Sequence, residues 1–181
     1  VLSTTPFAVE KLMLLIREET PSDAEAIHAV HAAAFPSADE ARLVDLLRTA
    51  GRLAASLVAE DEDRFVGHVA FSPVTTEPTA ASRGAGLAPV AVVASQRRQG
   101  IAADLIRAGL HACRQRGFGW VVVLGEPKYY ARFGFRSAAD FGLGDEYGGG
   151  PAFQALELVA GSLPVGAGLV RYAPEFASLG G

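Results

Sequence analysis

The stretch Gln96-Arg97-Arg98-Gln99-Gly100-Ile101-Ala102, QRRQGIA, lies between an apolar run, LAPVAVVA (87–94), and a segment with helical spacing. A strand hands over to a helix here through a polar turn with one glycine. Such a junction gathers free backbone N–H groups and the positive end of a helix at one point, which suits a phosphate or pyrophosphate. Gly100 lets the backbone approach a ligand closely, and Arg97 and Arg98 could pair with phosphates outside the cradle. Taken alone, the loop reads more simply as a solvated basic turn that caps a helix. It is not GxGxxG, and no Lys-Ser or Lys-Thr follows, so neither a dinucleotide fold nor a P-loop is indicated.

Downstream of the loop, Ile101–Arg116 carries the strongest helical pattern. Ile101, Leu105, Ala108 and Ala112 share one face, flanked by Ile106, Leu110 and Cys113, and Gly117 stops it. Trp120–Leu124 is apolar throughout, as a strand buried on both faces would be. Pro127 starts a short helix or turn over Glu126–Arg132, and strand-like runs return at Phe153–Val159 and Gly168–Tyr172. Upstream, Leu87–Ala94 is a strand interrupted by Pro89, which cannot donate to a ladder, so a bulge or a gap in pairing is expected there. Leu53–Glu60 and Arg64–Ser72 form a hairpin about Asp61-Glu62-Asp63, a charge run read as a solvated turn. Pro73 and Pro78 break the pattern, and Ala80–Gly86 reads as a loop of small residues. Leu12–Arg17 is a first strand. Thr20 and Pro21 open a helix that carries Ile27, Val30, His31 and Ala34, and Ala38–Ala50 makes a second, with Leu43, Leu46 and Leu47. The order β-α-α-β-β-β-α-β-α-β-β predicts an α/β (α+β) fold with a mixed sheet in a single domain.

Composition narrows the classes. The 181 residues suit one domain with a sizeable core, and half are hydrophobic with a fifth charged. A net charge of −4 argues against a nucleic-acid partner without excluding a local basic pocket. One cysteine, Cys113, makes an internal disulfide impossible and fits a reducing compartment. The apolar stretch Leu12–Ile16 is too short to span a bilayer, so no membrane partner and a cytoplasmic location are expected. Residues 1–11 read as a tag or a disordered extension, because Met13 opens the ordered pattern.

Thirty residues beyond the loop comes Tyr129-Tyr130-Ala131-Arg132-Phe133-Gly134-Phe135. Arg97-x-x-Gly100-x-Ala102 followed, after one strand, by Tyr130-x-x-x-Gly134-Phe135 resembles the GCN5-related N-acetyltransferase (GNAT) superfamily. The likeness runs from Leu12 to Tyr172, and GHVAFSPV (67–74), VVVLGEPKYYARFGF (121–135) and RYAPEF (171–176) resemble a bacterial subgroup of acetyltransferases with poorly defined substrates.

The resemblance implies one N-acetyltransferase domain over 12–181, with a mostly antiparallel sheet flanked by helices and central strands splayed into an acetyl-CoA cleft. Val90, Ala91 and Val92 would hold the pantetheine arm through their main chain. The amides of Arg98, Gln99, Gly100, Ile101 and Ala102 would hold the pyrophosphate, with Arg97 and Arg98 auxiliary. The acetyl group would pass directly to an amine, with no acyl-enzyme, no metal and acetyl-CoA as cosubstrate.

That reaction needs an uncharged amine, an acceptor for its proton, a stabiliser of the oxyanion and an acid for the leaving thiolate. Tyr130 matches the family tyrosine that serves as the acid; Tyr129, its neighbour, would face elsewhere. Packing with a satisfied hydroxyl is the structural alternative for Tyr130. The general base is open between Glu126, which could equally be a helix-start acid, and His68, which could equally be a satisfied core residue. Cys113, mid-helix with no base nearby, reads as a buried structural thiol. His28 and His31 share an i, i+3 spacing but lack companion ligands, so no metal site is expected.

The competing reading is a non-catalytic acyl-CoA-binding module on the same fold, which would keep the loop and lose the work of Tyr130. The acceptor stays open among small amines, amino acids, antibiotics, protein N-termini and lysines. The fold also admits a homodimer.

Overall fold

The computed structural model describes residues 14–166 and 168–179, so the expected strand residues Leu12 and Met13, and residues 1–11, lie outside the described part. Strand β1 (Leu14–Glu18) leads through a 3-10 turn into α1 (Ala24–Ala34) and α2 (Asp39–Thr49). Three antiparallel strands follow, β2 (Ala55–Asp61), β3 (Arg64–Glu77) and β4 (Gly84–Val92), and then α3 (Ile101–Gln115) and β5 (Trp120–Leu124). The chain finishes with α4 (Pro127–Tyr130), β6 (Arg136–Ser137), β7 (Leu143–Asp145), β8 (Phe153–Glu157), β9 (Gly168–Arg171) and a 3-10 turn over Pro174–Ser178. The main sheet runs β1-β2-β3-β4-β5-β8-β6, with β9 pairing the far end of β3 and β7 pairing β9. Among the described residues, no helix is long and apolar enough to cross a membrane.

Alternation along the central strands sends successive residues to opposite faces. Leu57, Val69 and Phe71 meet Leu105, Ile106 and Cys113 of α3 on one face. On the other, Val58 and Ala70 meet Ile27 of α1 and Val44 of α2. A third cluster, around Trp120, Phe153, Tyr172 and Phe176, closes the β5–β8 half.

The structure revises several sequence expectations. β3 does not stop before Pro73 but continues to Glu77, because its outer half takes β9 as a partner at Thr75–Glu77 and needs no donor from Pro73. Gly84–Gly86, expected in a loop, begin β4, where their small size suits the parallel pairing with Trp120–Val122. The centre of the buried face of α3 is also displaced. Gly109 lies at its middle, and a Cβ there would come within 2.1 Å of the Phe71 ring, so Phe71 packs over the glycine while Ala108 is only partly buried beside it. Leu46 is exposed rather than part of the core. Asp61 does not belong to the solvated turn: it is only 4% exposed and accepts a hydrogen bond from Gln96 Nε2 at 3.3 Å. The two short strands β6 and β7 carry too few residues for an alternating pattern to register.

Candidate active site

β4 and β5 are parallel neighbours for three residue pairs only, Gly84–Trp120, Ala85–Val121 and Gly86–Val122. Beyond them, among the described residues, β4 continues to Val92 on β3 alone, so the edge it would present to β5 has no strand partner, the Val92 carbonyl apart, which Arg97 takes. Pro89 sits where the strands part. The pairing with β3 jumps from Phe71–Leu87 to Val69–Val90, with two β4 residues set against one, which is the expected bulge.

The open edge leads into the loop. Val90, Ala91 and Val92, with Ala34 and Phe35 from the end of α1, line a depression of about 360 Å³. It shares Val92, Arg97, Ala102 and Tyr129 with a second depression, of about 350 Å³, lined by Gln96, Arg98, Gly100, Ile101 and Arg132. Gly100 is the N-cap of α3, with φ 85°, a left-handed conformation that side chains resist, and it offers no side chain to cap the helix. The first-turn N–H groups of a helix have no partner within it, so those of Ile101, Ala102 and Ala103 face this groove with the positive helix end. Arg98 also lies in the left-handed region, φ 63°. Arg97 serves the loop itself. Its Nε donates to the Val92 carbonyl at 3.2 Å and its guanidinium to the Ala34 carbonyl at 3.0 Å, pinning the loop to β4 and α1.

Tyr130 is 8% exposed and packs against Phe135 and Phe133. Its ring lies over Gly125, where a Cβ would come within 2.3 Å of it, so glycine at the end of β5 is what admits the tyrosine. Burial, then the neighbouring Tyr129, pushes its phenol up to about 12. Tyr129 packs edge-on against Tyr130, with ring centroids 5.1 Å apart at 83°, and it lines the loop groove rather than facing elsewhere. Glu126 is exposed and is the N-cap of α4, accepting from the Lys128 amide at 3.4 Å, as a helix-start acid does.

His68 has a different setting. It is fully buried, with Nδ1 2.8 Å from His31 Nε2 and Nε2 2.8 Å from Ser56 Oγ. Ser56 Oγ also bonds Glu19, whose carboxylate takes Arg48 Nε at 2.8 Å. Burial works against the Glu19 charge, yet the His68 ring 3.5 Å away and hydrogen bonds from Arg48 and Ser56 hold its carboxyl well below the usual range. Burial, then the neighbouring His68, lowers His31 to about 3, and burial lowers His68 too, so both rings are neutral at pH 7. One proton arrangement serves every contact: His31 Nε2–H donates to His68, His68 Nε2–H to Ser56, and Ser56 O–H to Glu19. That leaves His31 Nδ1 as a bare acceptor, and it is the ring atom without a partner. His68 is thus a satisfied core residue. His28 bonds Asp45 rather than sharing a ligand with His31, and among the described residues no group of three or more potential ligands could hold a metal. Cys113 is buried, and desolvation pushes its thiol up to about 12.

A further cavity, which the sequence did not suggest, opens on the far side of the parting strands. It holds about 300 Å³ and is lined by Leu87 and Ala88 of β4, Leu124 at the end of β5, and Tyr147, Tyr172 and Phe176. Its residues come from four separate segments, so no local motif announces it.

Splayed parallel strands with a bulge, followed by a glycine-capped helix, define an acetyltransferase of the GNAT class, and comparison with known proteins agrees. A family model, the GNAT acetyltransferase domain, matches residues 15–138. The chain belongs to the GNAT acetyltransferase family. It is 41% identical over 165 residues to the uncharacterized N-acetyltransferase YhbS of Escherichia coli (strain K12), covering 90% of this chain and 98% of that one. A crystal structure of E. coli YhbS in complex with CoA superposes with a TM-score of 0.88 at 39% identity, covering 99% of this chain and 98% of that one. A GNAT acetyltransferase from Brucella melitensis in complex with acetyl-CoA has a TM-score of 0.76 at 35% identity, covering 92% and 99%.

Proposed function

We propose that the protein transfers the acetyl group of acetyl-CoA directly to an amine, with both substrates bound together. The observation that carries this reading is the unpaired edge of β4 running into the glycine-capped start of α3. An extended pantetheine arm can add to that edge as a strand would, through Val90, Ala91 and Val92. Its pyrophosphate then reaches the amides of Arg98 to Ala102. The two relatives crystallised with CoA and acetyl-CoA support the same occupant.

The chemistry follows from the groups at hand. The amine nitrogen attacks the thioester carbonyl, the C–S bond breaks, and the ammonium proton leaves. Direct transfer accords with the buried, fully protonated Cys113, which is no nucleophile. With its phenol pushed up to about 12, Tyr130 stays protonated throughout the neutral range. A complete proton transfer to a thiolate of ordinary pKa, near ~8.5, is uphill by roughly 3 to 4 units. Tyr130 therefore acts as a hydrogen-bond donor to the departing sulfur, worth most in a desolvated site. The proton of the amine passes through water to Glu126, the exposed N-cap of α4.

Release of free thiol from acetyl-CoA, followed across a panel of amines, tests the reading. Amine-dependent release that falls sharply in Tyr130→Phe is expected. Tight acetyl-CoA binding without turnover on any amine would instead make the protein an acyl-CoA-binding module. Unchanged CoA affinity in Gly100→Glu would remove the loop from the cofactor site.

A further inference from the structure

The cavity beyond the parting strands limits what the acceptor is. We propose that the acceptor is a small primary amine on an apolar, ring-bearing body, an arylalkylamine in chemical class, with its ring in this cavity. The inference rests on the acetyl-transfer reading above.

Position comes first. Leu87 and Ala88 line the cavity, and Val90 to Val92 line the cofactor groove, on one continuous strand. Three residues of extended chain span about 10 Å. A thioester arriving along β4 from the loop side and an amine leaving the cavity from the other side therefore meet near Pro89, where β5 has turned away. A body seated in the cavity needs only a short tether to bring its nitrogen to that point.

The lining sets the chemistry of the body. It is built almost wholly of carbon, and three rings form its aromatic wall. Tyr147 and Tyr172 stand 5.9 Å apart at 46°, and Tyr172 and Phe176 stand 5.1 Å apart at 48°. Tilted faces at this spacing receive another ring in offset or edge contact. The Tyr172 hydroxyl is buried without a partner, and burial raises its pKa, so the phenol adds no charge to the wall.

Charge close behind the rings sets the sign of the approaching ligand. Asp145 lines a neighbouring depression with Gly144, Gly150 and Phe153. It accepts from the amides of Tyr147 and Gly149, at 3.0 and 2.8 Å, which holds its carboxylate close behind the Tyr147 and Tyr172 rings. There its charge, after burial, raises both phenols. A Cβ on Gly149 would lie 2.1 Å from Leu124 Cδ2 and 3.3 Å from Asp145 Oδ1, so this carboxylate sits close to the end of β5. Glu146 is next to it, accepting from the Tyr172 amide and facing Arg171, which Glu77 also holds. Each carboxylate oxygen has a second lone pair beyond its backbone bond. An ammonium is therefore drawn to this end of the cavity, and a carboxylate-bearing acceptor is repelled.

The test compares kcat/KM for thiol release from acetyl-CoA by the full chain with 2-phenylethylamine, ethylamine, ethanolamine, phenylalanine and a lysine-containing peptide. The expected order places 2-phenylethylamine about 10- to 100-fold above ethylamine, the range for burying a ring. Phenylalanine, the same body with an added carboxylate, should fall well below it. Tyr147 is 52% exposed and its replacement spares the core. Tyr147→Ala, shown to melt like the parent, should narrow the ratio of 2-phenylethylamine to ethylamine at least about threefold. Ethylamine or the peptide used as well as 2-phenylethylamine overturns this inference and leaves acetyl transfer standing. A ratio that Tyr147→Ala does not change overturns it as well. Acetyl-CoA binding with no turnover on any of the five amines refutes the transfer reading, and this inference with it.

Discussion

A buried cluster and an open cleft of the molecule treat their polar groups in opposite ways. Beneath α1 and α2, His31, His68, Ser56, Glu19 and Arg48 bond one another until only one acceptor, His31 Nδ1, is left over. Along the cleft, among the described residues, the β4 edge before Val92, the first turn of α3 and the hydroxyl of Tyr172 have no such partners. Tyr130, packed among aromatic rings, makes no side-chain hydrogen bond among the described residues. An unpartnered buried polar group is costly, about 1 to 3 kcal/mol each. The first region ties α1 and α2 to the sheet, and the second keeps binding capacity in reserve. Damage to the first should appear as lost stability, and damage to the second as lost affinity or turnover.

The largest effect should come from Glu19→Ala, which leaves Arg48 and Ser56 without their common acceptor and cuts off the chain that runs back to His68. A loss of about 3 kcal/mol is expected, measured by urea unfolding, with CoA affinity preserved among the folded molecules. Tyr130→Phe should do the reverse: kcat falls about 100-fold, while the thermal midpoint barely moves.

Acid should act on the first region. His31 is lowered to about 3 in the fold from an ordinary value of ~6.5. Its contribution is present above the unfolded value and is lost as pH falls below it toward 3. The depressed Glu19 carboxyl has the same sign, over the lower range where carboxylates protonate. At pH 4.5 the His31 share amounts to about 2 to 3 kcal/mol, and His31→Phe should flatten the fall in melting temperature between pH 7 and 4.5.

Gly100→Glu should weaken CoA binding at least about tenfold, from left-handed strain and a negative charge at the helix end. Isothermal titration measures it, and a large drop in stability instead would blur the contrast between the two regions. The smallest change is Glu126→Gln, which keeps an oxygen to cap α4. A loss in kcat/KM of about 5-fold with unchanged melting would mark Glu126 as the proton acceptor, whereas no loss would leave it a cap alone.

The side of the cleft proposed for the cofactor was far more legible in the sequence than the side proposed for the acceptor. The loop and Tyr130 lie in two short windows whose spacing is set by local geometry: a helix start needs Gly100, and the turn after β5 needs Gly134. The strand–helix order was legible because α3 and β5 have strong, unbroken patterns. By contrast, the aromatic cavity draws Leu87, Leu124, Tyr147 and Tyr172 from distant segments, and its walls depend on how far β4 and β5 diverge. The destination of His68 was also hidden, because its partners His31, Ser56 and Glu19 come from three other elements. Arg97 could not be assigned from the loop alone, since the carbonyls it holds belong to Val92 and to Ala34, 63 positions away.

Pro89 has one more consequence. A cleft with nothing in it is an open sheet edge, the kind of surface on which a strand from another molecule can grow and begin aggregation. Pro89 offers no N–H to a newcomer, and the bulge around it turns the backbone out of a straight ladder. A foreign strand would find only short runs of main chain on either side, too few to hold, while the proposed cofactor, bringing its own amides and a phosphate tail, would have the loop as a second anchor. The same residue that parts the strands thus also guards the edge that their parting exposes.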